Sequence, residues 1–364
     1  MANHTRPIGV DQIGEFDALI DARSPSEFAL DHLPGAISCP VLDDDERRIV
    51  GTLYEQQGAF EARRVGGAMV AANLARHLQE RFADKPGEWR PLVYCWRGGL
   101  RSGSMVTWLR MVGWDAQQLA GGYKSWRRHV IVLIEHLAPQ LKFRVLCGAT
   151  GSAKTRVLQA LAAEGAQVLD LEAMARHKGS VLGALPGVEQ PSQKAFETDI
   201  ADALSRIDLA RPVYVEAESR RIGRLAVPLP LLENLRASPC IEIDATPAAR
   251  LEYLLRDYAY LGDDREELVR KIGLLHGLQP NETLARWQGW AAEGRLPELF
   301  GELMSTHYDP LYARSQNSHL LKLCEAMKLP TDDLSPAGID TLAAAILARE
   351  PRPIERASGV VTGD

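Results

Sequence analysis

Residues 143–155 read FRVLCGATGSAKT. An apolar strand pattern runs into a glycine-rich turn, and the helical run TRVLQALAAEG follows at once. A strand that feeds a helix through a tight turn sets its next sheet neighbour parallel, because the helix carries the chain back along the sheet. The same construction stands at 91–104, where PLVY leads into CWRGGLRSGS. Before it come the short apolar stretches DALIDAR and GAISCPV, with a helical pattern over 61–82. After FRVLC come AQVLDLE, RPVYVEAE and CIEIDATP. Strands alternating with helices predict an α/β chain with two parallel sheets covered by helices on both faces.

At 364 residues the chain is too long for one ordinary core, so two domains are expected. The stretch HVIVLIEHLAPQLKF reads as a helix ended by Pro139 and places the boundary there: 1–138, then 139–350, with 245–327 mainly helical. The polar tail 351–364, rich in proline and glycine, is predicted to fray. No apolar run approaches a membrane span, and the start MANHTRPIGVDQIGEF lacks a signal core. Five scattered cysteines without a CxxC pair argue against a disulfide framework or zinc site and for a reducing cytoplasm. A net charge of −6 means that any nucleic-acid contact must come from local basic patches.

Two turns carry chemistry. Cys95 sits where a strand opens into a helix, among backbone amides and the positive end of that helix, which favour the thiolate. Gly98 and Gly99 let the backbone close around an anion, and Arg97 and Arg101 add positive charge. The other cysteines lie in apolar contexts and read as packing residues. In the second turn, GATGSAKT matches G-x-x-x-x-G-K-T except that Ala153 stands at the second glycine. Gly148, Gly151 and Ser152 with Lys154 form a cradle for phosphate, and Thr155 is the position for Mg²⁺. Asp170, Glu172, Glu216 and Glu218 follow strand ends and are candidates for a base or for metal support. Arg220, Arg221 and Arg224 form a basic cluster, read either as an anion clamp or as a plain helix face.

The stretch DARSPSEFALDHLPGA at 21–36, together with Cys95, resembles the rhodanese family over residues 7–130. The spacing from Cys95 to Arg101 is C-x5-R, one residue longer than the loop of many single-domain rhodaneses. It is similar to the loop of rhodanese-fold phosphatases and arsenate reductases, which wraps a tetrahedral oxyanion. The glycine-rich turn at 148–155 resembles a P-loop. A rhodanese-like parallel-sheet domain is therefore expected first, then a P-loop NTPase-like α/β domain with a helical C-terminal part.

The pairing, with ERRIVGTLYEQQGAFEAR at 46–63, HKGSVLG at 177–183, YVEAESRRIGR at 214–224 and HYDPLY at 307–312, closely resembles the bacterial tRNA 2-selenouridine synthase family. That resemblance implies exchange of sulfur for selenium in wobble 2-thiouridine. It implies selenophosphate as donor and an S-geranyl intermediate made from geranyl diphosphate. On this reading Gly151, Lys154 and Thr155 hold the geranyl diphosphate head, and Cys95 receives selenium and presents it to C2. The tRNA anticodon arm is the partner, met by Trp96 through stacking and by Arg220, Arg221, Arg224, Arg250, Arg256, Arg270 and Lys271. Two other readings stay open: an ATP-dependent tRNA sulfurtransferase or kinase, and a C-x5-R phosphatase or arsenate reductase.

Overall fold

The computed structural model describes residues 8–180 and 183–349. The expectation of a fraying tail at 351–364 lies outside the described residues. The described chain forms two compact units. One runs to Glu135 and takes in 191–205; the other comprises 136–190 and 206 onward.

The first unit holds strands β1 (Ala18–Asp21), β2 (Ile37–Ser38), β3 (Pro91–Tyr94) and β4 (Gln117–Gln118), all parallel, in the order β2-β1-β3-β4. β3 is buried along its whole length, as its unbroken apolar run requires of a central parallel strand. The helical run read at 61–82 is the helix Ala59–Glu80, and a second helix, Asp44–Gln57, precedes it, the two joined at Gly58, whose φ is +89°. One core gathers Ile20, Leu74, Phe82, Trp89, Val93, Met105 and Leu109. The helix Gln193–Ser205 belongs to this unit because Arg127 donates to the Lys194 carbonyl at 3.1 Å and pairs with Glu197, while Thr198 donates to Asp31 at 3.3 Å.

The second unit holds a parallel sheet of β5 (Lys142–Cys147), β6 (Gln167–Leu169), β7 (Pro212–Glu216), β10 (Cys240–Ala245) and β11 (Met327–Thr331), in the order β11-β10-β5-β7-β6. The strands β8 (Arg221–Ile222) and β9 (Leu225–Ala226) form a separate antiparallel hairpin. β11, which the strand pattern did not reveal, is an edge strand: MKLPT has one buried side chain, and Pro330 is tolerated because an edge strand leaves one side unpaired. The helix Gly122–Leu137 and the short turn Ala138–Gln140 stand where the break was read. Leu146, Val157, Leu161, Ile241, Ile243, Leu342 and Ile346 form the sheet core. A second cluster, around Leu268, Ile272, Trp287, Leu299 and Phe300, packs the helical segments between Leu251 and Tyr308 against one another. Among the described residues no helix is long and apolar enough to cross a membrane.

Candidate functional site

The loop 96–99 leaves β3 and enters the helix Leu100–Val112, with Cys95 at its base and only 3% exposed. The Cys95 sulfur accepts from the Gly99 amide at 3.3 Å and from the Ser102 hydroxyl at 3.0 Å. Gln118, at the end of β4, donates to Ser102 at 2.7 Å and to the Gly99 carbonyl at 3.0 Å. The loop is fixed from outside as well: the Tyr123 amide donates to the Cys95 carbonyl at 2.8 Å and Lys124 to Trp96 at 3.0 Å. Gly98, at φ +68°, has no room for a side chain, since a Cβ there would lie 2.9 Å from the Leu119 carbonyl oxygen. The sulfur thus sits in a small cup of donors, a setting that stabilises negative charge.

Arg101 does not turn into this cup. It forms a forked pair with Glu27, 2.6 and 3.3 Å, while Arg47 reaches the same carboxylate at 3.1 Å. Burial works to raise the Glu27 carboxyl, but the Arg101 pair outweighs it and holds the group below the usual range. The expected extra charge at the anion is therefore spent on tying the loop's helix to the helix Pro25–Leu30. Arg97 and Trp96 are exposed; the Trp96 ring lies 5.2 Å from that of Tyr123, leaving its other face to solvent and to Lys194 at 5.7 Å. The D-x-R stretch is scaffold. Buried Arg23 forks onto Asp21 and donates to the Asp31 carbonyl at 2.7 Å, with its guanidinium 4.0 Å over the Tyr123 ring.

In the second unit the turn after β5 bends through Gly148 (φ +143°) and Gly151 (φ +84°) into the helix Lys154–Ala163. Ala153 also takes the left-handed conformation, φ +58°. That costs an L-residue about 1–2 kcal/mol, and the methyl is held in place by burial in the sheet core. So the alanine departure preserves the backbone path that a glycine would give. Lys154 Nζ donates to the Gly148 carbonyl at 2.8 Å and lies 5.2 Å from the Tyr312 ring. Ser152 is fully buried, and its hydroxyl has no partner among the described residues.

A cleft of about 580 Å³ opens over this turn, lined by Gly151, Lys154, Thr155, Glu172, Glu216 and Glu218 among others. Carboxylate oxygens of the three glutamates lie within 4.8 Å of one another. Burial raises all three carboxyls; the charge of Glu216 adds to this at Glu172, and those of Glu172 and Glu216 at Glu218, while Lys154 pulls each back. Thr155 Oγ1 is 3.4 Å from Glu172, and Oε1 of buried Glu216 has no partner among the described residues. Hard oxygen donors in this number fit a divalent cation such as Mg²⁺, held by Thr155 and the carboxylates. Asp170 is not among them: it caps the helix Leu171–Ala175, accepting from Ala173 at 2.8 Å.

The cleft adjoins a small, mainly apolar slot of about 30 Å³ lined by Thr150, Ser180, Leu254, Tyr258, Phe300, Leu303, Met304 and Tyr308. Thr150, Leu254, Tyr258 and Tyr308 line both spaces, so the phosphate turn and the slot are continuous. No sequence pattern pointed to this slot, because its walls come from separate helical segments.

The basic residues divide. Arg220, Arg221 and Arg224 are exposed on and beside the β8–β9 hairpin, not on a helix, and Arg224 bonds to Gln190. Arg250, expected to face RNA, is corrected: it is buried and forks onto Asp309 at 2.8 and 3.1 Å, since burying a guanidinium demands a charged partner. Arg256 bonds the Leu334 carbonyl, Arg270 is paired with Glu267, and Lys271 is buried on the Ala184 carbonyl at 3.0 Å.

Two family models match the chain. Residues 10–129 match the rhodanese-like domain, and 141–286 match the tRNA 2-selenouridine synthase AAA domain. The chain is 34% identical to the tRNA 2-selenouridine synthase of Alcanivorax borkumensis, across 81% of this chain and 88% of that protein. This chain belongs to the tRNA 2-selenouridine synthase family. It is likewise 38% identical to the Aeromonas salmonicida member over 81% of this chain and 86% of that one. The Nitrosomonas europaea synthase is 38% identical over 69% of this chain and 67% of its own length. Membership in the synthase family joins the thiol loop and the phosphate turn as parts of one enzyme class.

Proposed function

We propose that this chain replaces the sulfur of wobble 2-thiouridine in tRNA by selenium, through S-geranylation followed by displacement. The observation that carries the alkyl diphosphate reading is the continuity of the phosphate turn with the apolar slot. A diphosphate head on Gly151, Lys154 and Thr155 leaves a hydrocarbon chain lying in the cleft of about 580 Å³ with the apolar side chains Leu254, Phe300 and Met304 at one end. An ATP-dependent sulfurtransferase or kinase would set its nucleoside against the same mainly apolar end of the cleft. A phosphatase needs an acid for the leaving oxygen, and among the described residues bonded to Cys95 sulfur there is an amide and a hydroxyl but no carboxyl.

The steps balance without an oxidant. The thiocarbonyl sulfur attacks C1 of geranyl diphosphate, the C1–O bond breaks, diphosphate leaves with the electron pair, and the ring N3 proton is lost. Sulfur on C2 has then become a leaving group. Selenium, already at the selenide level in selenophosphate, bonds to C2; the C2–S bond breaks and geranyl thiol departs. Phosphate is released when water takes up the phosphorus. Lys154 and the loop amides bind the charge on the departing diphosphate. Cys95, with its two donors, is the group that meets the selenium donor. A cation on Thr155 and the three glutamates would neutralise diphosphate charge.

The decisive test is incubation of 2-thiouridine tRNA with the purified protein and geranyl diphosphate or ATP, with nucleosides read by mass spectrometry. S-geranyl-2-thiouridine, made without ATP, is expected; tRNA-stimulated ATP hydrolysis with no geranylation would favour the kinase reading.

The carboxylates set a second expectation. Three acidic groups facing a diphosphate repel it unless a cation intervenes. Titration of geranyl diphosphate with and without Mg²⁺ should show affinity at least about tenfold higher with the metal, and Glu216→Gln should erase most of that gain. Equal affinity with and without Mg²⁺ would argue that the carboxyls stay protonated and hold no metal.

Exposed Arg220, Arg221 and Arg224 are read as tRNA contacts. Charge reversal at all three should weaken tRNA binding and flatten its salt dependence, each lost phosphate contact lowering the slope of log K against log salt by about 0.7–0.9. Unchanged tRNA binding across a salt series, with weakened geranyl diphosphate binding, would make them a clamp for the co-substrate instead.

A further inference from the structure

Tyr312 closes the HYDPLY stretch, to which the sequence reading gave no role, and it touches the phosphate turn at two points. Its hydroxyl oxygen accepts from the Gly148 amide at 2.5 Å, and its ring lies 5.2 Å from Lys154 Nζ. Gln316, one turn later, donates to the same hydroxyl oxygen. A phenol oxygen that accepts two hydrogen bonds still has its own proton to donate. No acceptor for that proton is found among the described residues, and Tyr312 lines the cleft beside Lys154. Lys154 is in a similar state: one of its three protons is on the Gly148 carbonyl, and the ammonium faces the same space.

The placement of Tyr312 is built, not incidental. It lies on the helix Asp309–His319, whose first residue is clamped by buried Arg250. A π-helical stretch, Leu303–Tyr308, leads into that helix, a rare distortion that is frequent at functional sites. Gln316 is itself buried.

We propose that Tyr312 is a binding residue of the phosphate site: its hydroxyl donates to an oxygen of a bound diphosphate, next to Lys154. This rests on the reading of the 148–155 turn as a diphosphate cradle. The opposite role is physically available. If Tyr312 is a plug, it occupies a Gly148 amide that the ligand needs, and its removal strengthens binding.

The sign of one substitution separates the two. Tyr312→Phe keeps the ring over Lys154 and removes only the hydroxyl. Titration of the full chain with inorganic diphosphate and Mg²⁺ should show Tyr312→Phe binding about tenfold or more weakly, the scale of a hydrogen bond to a charged group. Binding equal to or tighter than wild type overturns the proposal. Lys154→Ala is the control: if it too leaves diphosphate binding unchanged, the cradle reading fails, whereas a weakened Lys154→Ala beside an unchanged Tyr312→Phe sinks this inference alone. A structural role is told apart spectroscopically. With 3-fluorotyrosine incorporated, the ¹⁹F resonance missing from Tyr312→Phe should shift when diphosphate is added; a resonance that stays in place refutes direct contact.

Discussion

Cys95→Ser should lower selenouridine formation by about 10³-fold or more, the scale of losing a central active-site group, while the protein still converts 2-thiouridine tRNA to its S-geranyl form. A serine hydroxyl is not ionised near neutral pH and offers no anionic sulfur to meet the selenium donor. The fold should survive, because the Gly99 amide and the Ser102 hydroxyl can donate to an oxygen as they do to the sulfur. Nucleosides from tRNA treated with selenophosphate and geranyl diphosphate, separated by mass, give both activities in one measurement. A serine variant that still makes selenouridine would remove Cys95 from the selenium step. Loss of geranylation as well would mean that the thiol serves the first reaction too.

Lys154→Ala should show the converse pattern. The ammonium is the one full positive charge that lines the cleft from within the 148–155 turn, and a charge-assisted contact to phosphate contributes about 1.5–3 kcal/mol, roughly ten- to hundredfold in affinity. Geranylation should fall by that factor at low co-substrate. Selenium exchange on tRNA that already carries S-geranyl-2-thiouridine should continue, since that step no longer needs the diphosphate. Calorimetric titration with geranyl diphosphate and with ATP checks which ligand the change affects. A variant that loses ATP binding while keeping geranyl diphosphate would return the turn to a nucleotide role.

Both candidate turns were legible in the sequence. A strand, a glycine-bearing turn and a helix are local, and their chemistry follows from neighbours within about ten residues. So Cys95 between β3 and its helix, and Lys154 after β5, could be read from order alone. The family resemblance was legible for the same reason, being carried by short motifs along the chain. Glu216 at the end of β7 was readable as a strand-end acid.

What the order could not give was decided by residues far apart. Arg101 looks like an anion ligand from its spacing to Cys95, but Glu27, 74 positions away, takes its guanidinium. Arg250 looks like a surface cation until Asp309 is seen to neutralise it in a buried pair. Asp170, Glu172 and Glu216 are equivalent as strand-end acids, yet a helix cap claims the first and leaves the others to the cleft. Tyr312 reaches Gly148 across 164 positions, and the apolar slot joins residues from 150 to 308. Local pattern specifies which groups are present and which backbone amides surround them. Which of those charges remain available to a ligand depends on the partner that burial brings, because a desolvated charge must be paired and its partner can come from anywhere in the chain.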